Sequence, residues 1–192
     1  MVRAFERRPV PEAVVDRILD LGLRAPSAGF SQGWAFVVLE GERQTRRFWD
    51  TTLPQERRST FPWPGLLDAP VLIVPLAHPD AYVQRYAEPD KAASGLGDGE
   101  AAWPVPYWYV DTAFVSLLML LAAVDADLGA LFFGIFQDEA ALLAELGVPD
   151  EYRPVGAIAL GYPLSGSDAS PPSQSTRRGR RSIDDVVHRG GW

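Results

Sequence analysis

Residue types that ordinarily carry out catalysis are sparse in this chain. It contains no cysteine, which excludes disulfides, thiolate nucleophiles and cysteine-bound metals or clusters. Its two histidines, His78 and His188, are far apart and share no ligand spacing, so no metal site is expected. Lys91 is the single lysine, leaving one candidate for Schiff-base chemistry. A Gly-x-Gly-x-x-Gly turn, a P-loop, a His-Glu-x-x-His pair and a Gly-x-Ser-x-Gly elbow are all missing from the sequence. A Ser–His–Asp triad could be assembled only by assuming contacts, and Asp184-Asp185 reads as a solvated helix start. By elimination the chain lacks a reactive group of its own, so it either borrows a cofactor or is not an enzyme. With one lysine among 18 basic residues, the remainder are arginines. Their planar fork suits phosphate and carbonyl oxygens.

The bulk properties narrow the field further. A chain of 192 residues supports one sizeable core rather than two, so a single domain over residues 1–192 is expected. A formal net charge of -7 argues against nucleic acid as a partner, because phosphate neutralisation needs a basic surface. Arg3, Glu6, Arg7 and Arg8 fill the stretch where a signal peptide would need apolar residues, so a cytoplasmic protein is expected. Tyr107 to Val124 approaches the length of a membrane span. Asp111, Thr112 and Ser116 interrupt it, however, and a helix apolar on nearly every side also suits the centre of a folded protein. The expectation is a long buried central helix and no membrane.

The elements that must position any site follow from periodicity. Pro11 and Glu12 open a helix with Val14, Val15, Ile18 and Leu19 at helical spacing. That helix should stop before Pro26, which disfavours helical geometry at Ala25. Ala25 to Trp34 (APSAGFSQGW) is a turn-rich loop, and Trp34 to Leu39 a buried strand. Gly41 to Trp49 suggests a short polar helix. Val71 to Ala77 has the length and continuous apolarity of a strand buried on both faces, with Pro75 hinting at an edge or a bulge. Between Pro79 and Trp103 only Tyr82 to Tyr86 suggests helix, and the glycine-rich remainder reads as a mobile loop of the kind used as lids. Ala130 to Phe136 is a further strand. Asp138 can cap a helix carrying Leu142, Leu143 and Leu146, with Gly147 at its left-handed C-terminus and Pro149 beyond. Val155 to Leu160 is the last strand, followed by a Ser/Pro-rich stretch and the basic tail from Arg177. Alternating strands and helices predict an α+β or α/β sandwich; periodicity leaves the strand order open.

Several of these segments, taken in order, resemble the nitroreductase-like FMN-dependent flavoprotein family. The matching pieces are Val2-Arg3-Ala4-Phe5, Ala25 to Trp34, Asp111 through Leu128-Gly129, Phe132-Phe133-Gly134, Leu146-Gly147-Val148-Pro149 and Arg180-Arg181-Ser182-Ile183. The likeness spans nearly the whole chain and is weak between about residues 42 and 105. It implies an α+β fold with a mostly antiparallel central sheet flanked by helices. It also implies FMN at the interface of a homodimer, reduced by NADH or NADPH. On that resemblance Arg178, Arg180 and Arg181 would hold the phosphate, and Ser27 would add a hydroxyl near the ribityl chain or phosphate. Arg3 would face the flavin edge that becomes negative on reduction. Backbone N–H groups of Phe133 and Gly134 would lie beside N5 and O4, and Gln32 would read the polar rim. Phe30 and Trp108 would shape the acceptor side, Trp108 as part of an aromatic cluster with Trp103, Tyr107 and Tyr109.

Plainer readings stand beside these. The arginines can be a solvated tail, Arg3 a surface residue, Ser27 a turn cap, Phe132 and Phe133 core, and the aromatic cluster packing. Two positions depart from the family pattern: Phe30 replaces a frequent Asn, and Gly33 replaces the usual Pro. Met1 falls inside the first motif, so either one phosphate contact is lost or the true start lies upstream. The implied activity is a ping-pong exchange in which NAD(P)H reduces the flavin and then gives way to a nitroaromatic, quinone or similar electron-poor acceptor. A flavin-cleaving, benzimidazole-forming enzyme of the same fold and a non-catalytic flavin-storage protein are the alternatives.

Overall fold

The computed structural model describes residues 1–165 and 178–192. Strands β1 (Trp34–Glu40), β2 (Val71–Ala77), β3 (Gly129–Phe133), β4 (Arg153–Pro154) and β5 (Ala157–Gly161) form one sheet. Their order is β1-β2-β5-β3, with β4 added to β2 beyond the end of β5. Every pairing is antiparallel.

Side-chain alternation along the strands separates two cores. Val71 and Ile73 of β2, with Ile158 and Leu160 of β5, face α1 (Glu12–Gly22) and α5 (Tyr107–Asp125). Leu72, Val74 and Leu76, with Ala157 and Ala159, face α2 (Gly41–Thr52) and α6 (Glu139–Leu146). The α+β sandwich expected from the sequence is therefore helix on sheet on helix. A continuous apolar strand is what burial on both faces demands, and all seven residues of β2 are buried.

Pro75 marks a difference from expectation. The strand is interior, because β1 pairs along its full length. On the other side β5 covers residues 71–73 and β4 covers 76–77, so Pro75 falls where the partner changes. Its carbonyl accepts the N–H of Val155 on that side at 3.0 Å. A missing N–H is tolerated at such a break.

The long helix α5 forms where expected. Its buried face carries Asp111, Thr112, Val115, Ser116, Met119, Ala122 and Ala123. Thr112 and Ser116 satisfy their hydroxyls on the carbonyls of Trp108 and Thr112, at 2.7 and 2.8 Å. The contact with α1 is close enough that a Cβ on Gly22 would stand 2.7 Å from Met119 Cγ. The opposite stripe, Tyr107, Phe114, Leu117, Leu121 and Val124, is exposed in the single chain.

Other features differ from the sequence reading. The strand expected to reach Phe136 stops at Phe133. Asp138 precedes α6 with left-handed geometry and makes no side-chain cap, while Gly147 closes that helix as expected, at φ 68°. The segment read as a mobile loop is packed. Beyond the short α3 (Gln55–Arg58), helix α4 (Pro79–Ala87) is followed by three short 3-10 turns, and Trp103 is buried with its indole N–H on the Leu96 carbonyl at 2.9 Å.

Candidate functional site

The loop between α1 and β1 is tightly constrained. Three of its residues use the left-handed region: Gly29 at φ 61°, Phe30 at 57° and Gln32 at 49°. For the two non-glycine residues this costs about 1–3 kcal/mol each, and such geometry persists only where its surroundings fix it. The fixing contacts come from three directions. Within the loop, Gln32 N–H donates to Ser27 Oγ at 3.0 Å, and Ser31 Oγ donates to the Ala28 carbonyl at 2.7 Å. From α5, Asp111 Oδ2 accepts the Ala28 N–H at 2.8 Å. From α4, Arg85 Nε donates to the Gly29 carbonyl at 2.9 Å.

Aromatic rings complete the frame. A Cβ on Gly29 would lie 2.6 Å from the Tyr86 ring, and one on Gly33 would lie 2.4 Å from the Tyr82 ring and 2.8 Å from the His78 carbonyl. The departure from proline at position 33 thus has a local cause: the ring of Tyr82 occupies the space.

Asp111 is the centre of this frame. Oδ2 also accepts the hydroxyl of Tyr82 at 2.9 Å. Burial raises the Asp111 carboxyl above the ordinary carboxylate range, and the bonds from Ala28 and Tyr82 oppose that rise. Tyr82 is wholly buried, and burial together with the Asp111 charge pushes its hydroxyl far above the usual tyrosine range. It therefore stays a donor at any working pH. Arg85 is held by Asp90 through two bonds of 2.7 and 2.8 Å, and this guanidinium holds the Asp90 carboxyl below its usual value.

The structure brings some of the sequence-predicted residues together. Ser27, Phe30 and Gln32 stand on the braced loop; the Ser27 oxygen accepts a bond across the loop and its own proton remains available to donate. Phe30 is 73% exposed. The loop enters β1 at Trp34, opposite the last residue of β2. Phe133 closes β3 opposite Ala157, the first residue of β5. Loop and β3 terminus therefore lie at the same end of the sheet. Gly134 follows the last rung, with the Phe136 ring so close that a Cβ would meet it at 2.4 Å. The Phe133 ring is half-buried and packs against the core, stacked on Trp49 at 5.7 Å and 6°.

Others are placed apart. The N–H of Val2 bonds Ala130 near the start of β3, so Arg3 lies toward the other half of that strand, with its guanidinium 5.3 Å from the centre of the Trp63 ring. Arg178, Arg180 and Arg181 are exposed. Arg181 donates to the Asp185 carbonyl, and Ser182 and Asp185 cap each other at 3.1 and 3.2 Å. Arg177 lies outside the described residues. Trp108 is a correction: at 4% exposure, set edge-on to Tyr82 and Trp103, it is core and offers no face to an acceptor.

Sequence reasoning missed Asp111, Tyr82 and Arg85 as parts of the site. The signal available was a lone carboxylate inside an otherwise apolar helix. Among the described residues, no group of three or more His, Cys, Asp or Glu side chains could hold a metal. The residues gathered at the loop offer hydrogen-bonding groups, with Asp111 and Arg85 turned inward to hold the backbone.

Comparison with known proteins bears on the family and the fold. Residues 1–162 match the model of the nitroreductase family. A protein of Thermus thermophilus named NADH dehydrogenase is 29% identical over 180 residues, covering 84% of this chain and 82% of that protein. A Staphylococcus aureus NADPH-dependent oxidoreductase is 25% identical over 193 residues, covering 97% of this chain and 68% of its own. The structure of an FMN-dependent nitroreductase from Clostridium difficile R20291 superposes with a TM-score of 0.66 at 18% identity, over 100% of this chain and 94% of that one.

Proposed function

This chain belongs to the nitroreductase family, and from that premise we propose that it is an FMN-dependent NAD(P)H oxidoreductase acting on nitroaromatic, quinone or similar electron-poor acceptors. Bound FMN would supply the redox chemistry by accepting hydride from NADH or NADPH and returning electrons to the acceptor.

The observation that carries this reading is the braced loop. Backbone strain held from three sides presents Ser27 and Gln32 at the sheet end where β3 gives way to Gly134. The donor set fits a flat, polar-edged ring bearing a phosphate. Ser27 offers a hydroxyl proton, Gln32 an amide and Gly134 a backbone free of ladder pairing, while Arg3, Arg178 and Arg180 offer guanidinium groups. Arg181 is already drawn to Asp185 and would order the turn that carries its neighbours.

One chain does not gather these groups at one place, and this motivates the second part of the proposal, a homodimer. The exposed stripe of α5 repeats at intervals of seven, three, four and three residues, from Tyr107 through Phe114, Leu117 and Leu121 to Val124. That is the seam spacing of packed helices. Ile183, Val186 and Val187 in the tail are also uncovered. Pairing two chains along α5 would cover the stripe and let the arginine tail of one reach the loop of the other. Within this assembly the whole chain acts as one flavin-binding unit in the cytoplasm.

The test is steady-state oxidation of NADH and NADPH with menadione and with a nitroaromatic, on protein reconstituted with FMN. Turnover with retention of intact FMN is expected. Bound FMN that neither nicotinamide reduces would reassign the protein to storage, and a benzimidazole product after photoreduction in air would reassign it to flavin cleavage.

A further inference from the structure

We infer that Asp111, Tyr82 and Arg85 are positioning residues that set the shape of the flavin-facing loop, and that α4 and α5 act on cofactor affinity through them. The inference rests on the functional reading above, and it adds residues outside the expected contact set.

Three observations carry it. First, Phe30 and Gln32 hold left-handed geometry that an unconstrained chain would leave. Second, the loop's connections to other elements concentrate on α4 and α5. Asp111 Oδ2 takes both the Ala28 N–H and the Tyr82 hydroxyl, at 2.8 and 2.9 Å, so one buried oxygen fixes the loop relative to both helices. Third, Arg85 is itself immobilised. Its Nε faces the Gly29 carbonyl, while Nη1 and Nη2 are committed to Asp90 and Nη1 also reaches Glu88 at 3.1 Å. A guanidinium fixed on two edges is a better anchor for a carbonyl than a free one. Gly33 belongs to the same device, because only a residue without Cβ lets the Tyr82 ring lie against the chain at that point.

Among the described residues, the hydrogen bonds of these groups go to the loop backbone and not to Ser27 Oγ or the Gln32 side chain. Their effect is on where those donors point. Removing them should therefore weaken FMN binding while the folded core persists.

The experiment compares wild type with Arg85→Met, Tyr82→Phe, Asp111→Ala and Asp111→Asn. Two readouts are taken: the FMN dissociation constant by flavin fluorescence, and backbone amide exchange over residues 28–34 in the flavin-free protein. Arg85→Met should raise the dissociation constant about tenfold, the scale of one charge-assisted hydrogen bond, with faster exchange confined to the loop. Asp111→Ala should do more, and Asp111→Asn, which keeps an acceptor oxygen, should recover most of the loss. Unchanged affinity and unchanged loop exchange in Arg85→Met and Tyr82→Phe would overturn the inference, even if Asp111→Ala fails to fold. If wild type binds no FMN, the functional reading fails, and the exchange measurement still decides whether the three residues hold the loop.

Discussion

The loop at residues 25–34 and the tail at 178–192 are both candidate ligand-binding segments, and they are built in opposite ways. Ala28, Gly29 and Gly33 of the loop bond to groups on α5, α4 or the end of β2. In the tail every residue is exposed, and hydrophobic side chains such as Ile183 and Trp192 are left in the open. Free energy of folding accounts for the loop, since its strained residues are held by the same chain. Nothing within the described residues offers the tail comparable cover, so the proposal assigns that cover to a second copy. On this view one chain preforms the flavin-edge half of the site, and association completes the phosphate half.

That contrast can be broken most severely from the tail. Replacing Arg178 and Arg180 together by Ala should reduce FMN affinity by about two orders of magnitude, two charge-assisted contacts being lost. Thermal stability without FMN should stay near that of wild type. Equilibrium dialysis and a melting curve measure the two, and an unaltered affinity would remove the tail from the site.

The next largest effect concerns association. Leu117→Glu would place a charge in the exposed stripe of α5, where burial against a second chain would cost several kcal/mol. Sedimentation should show single chains that retain the fold by circular dichroism and bind FMN poorly. A variant that still sediments as a dimer would mean that the stripe is not the seam.

The loop can then be tested on its own side. Gly33→Pro restores the residue more usual in the family but brings a Cβ into the Tyr82 ring and the His78 carbonyl. Overpacking of this kind costs about 1–3 kcal/mol, and the melting temperature should fall accordingly; the double variant Gly33→Pro, Tyr82→Ala should recover part of the steric loss.

The smallest effect is expected at Phe30. Because its side chain is exposed and Asn tolerates left-handed geometry better, Phe30→Asn should leave stability within about 1 kcal/mol of wild type. Its consequence should lie in the ratio of quinone to nitroaromatic turnover. A ratio identical to that of wild type would show that this ring does not shape the acceptor side.

Much of this architecture was legible in the residues because local chemistry and packing agree. Val71 to Ala77 is apolar throughout and is buried throughout; Gly147 stands where a left-handed cap is needed and adopts φ 68°. The APSAGFSQGW stretch was legible as a loop, with Ser27, Phe30 and Gln32 as its candidate ligand-binding members. What could not be read depends on partners distant in sequence. Asp111 meets Ala28 across 83 positions, and no periodicity links a carboxylate in an apolar helix to a backbone amide so far away. Pro75 suggested an edge because the hand-over from β5 to β4 exists only in the assembled sheet. Trp108 looked like a stacking surface because its aromatic neighbours were visible and their enclosure of it was not. The turns between residues 92 and 102 were read as loose because glycine-rich sequence carries no pattern, although Gly97 packs tightly on Ala87.

The most direct test of the account is titration of the purified protein with FMN, followed by sedimentation velocity with detection in the flavin absorbance band. Flavin absorbance travelling with a two-chain species, one FMN per chain, is the predicted result. Protein that sediments as single chains and leaves all added FMN at the meniscus would contradict it.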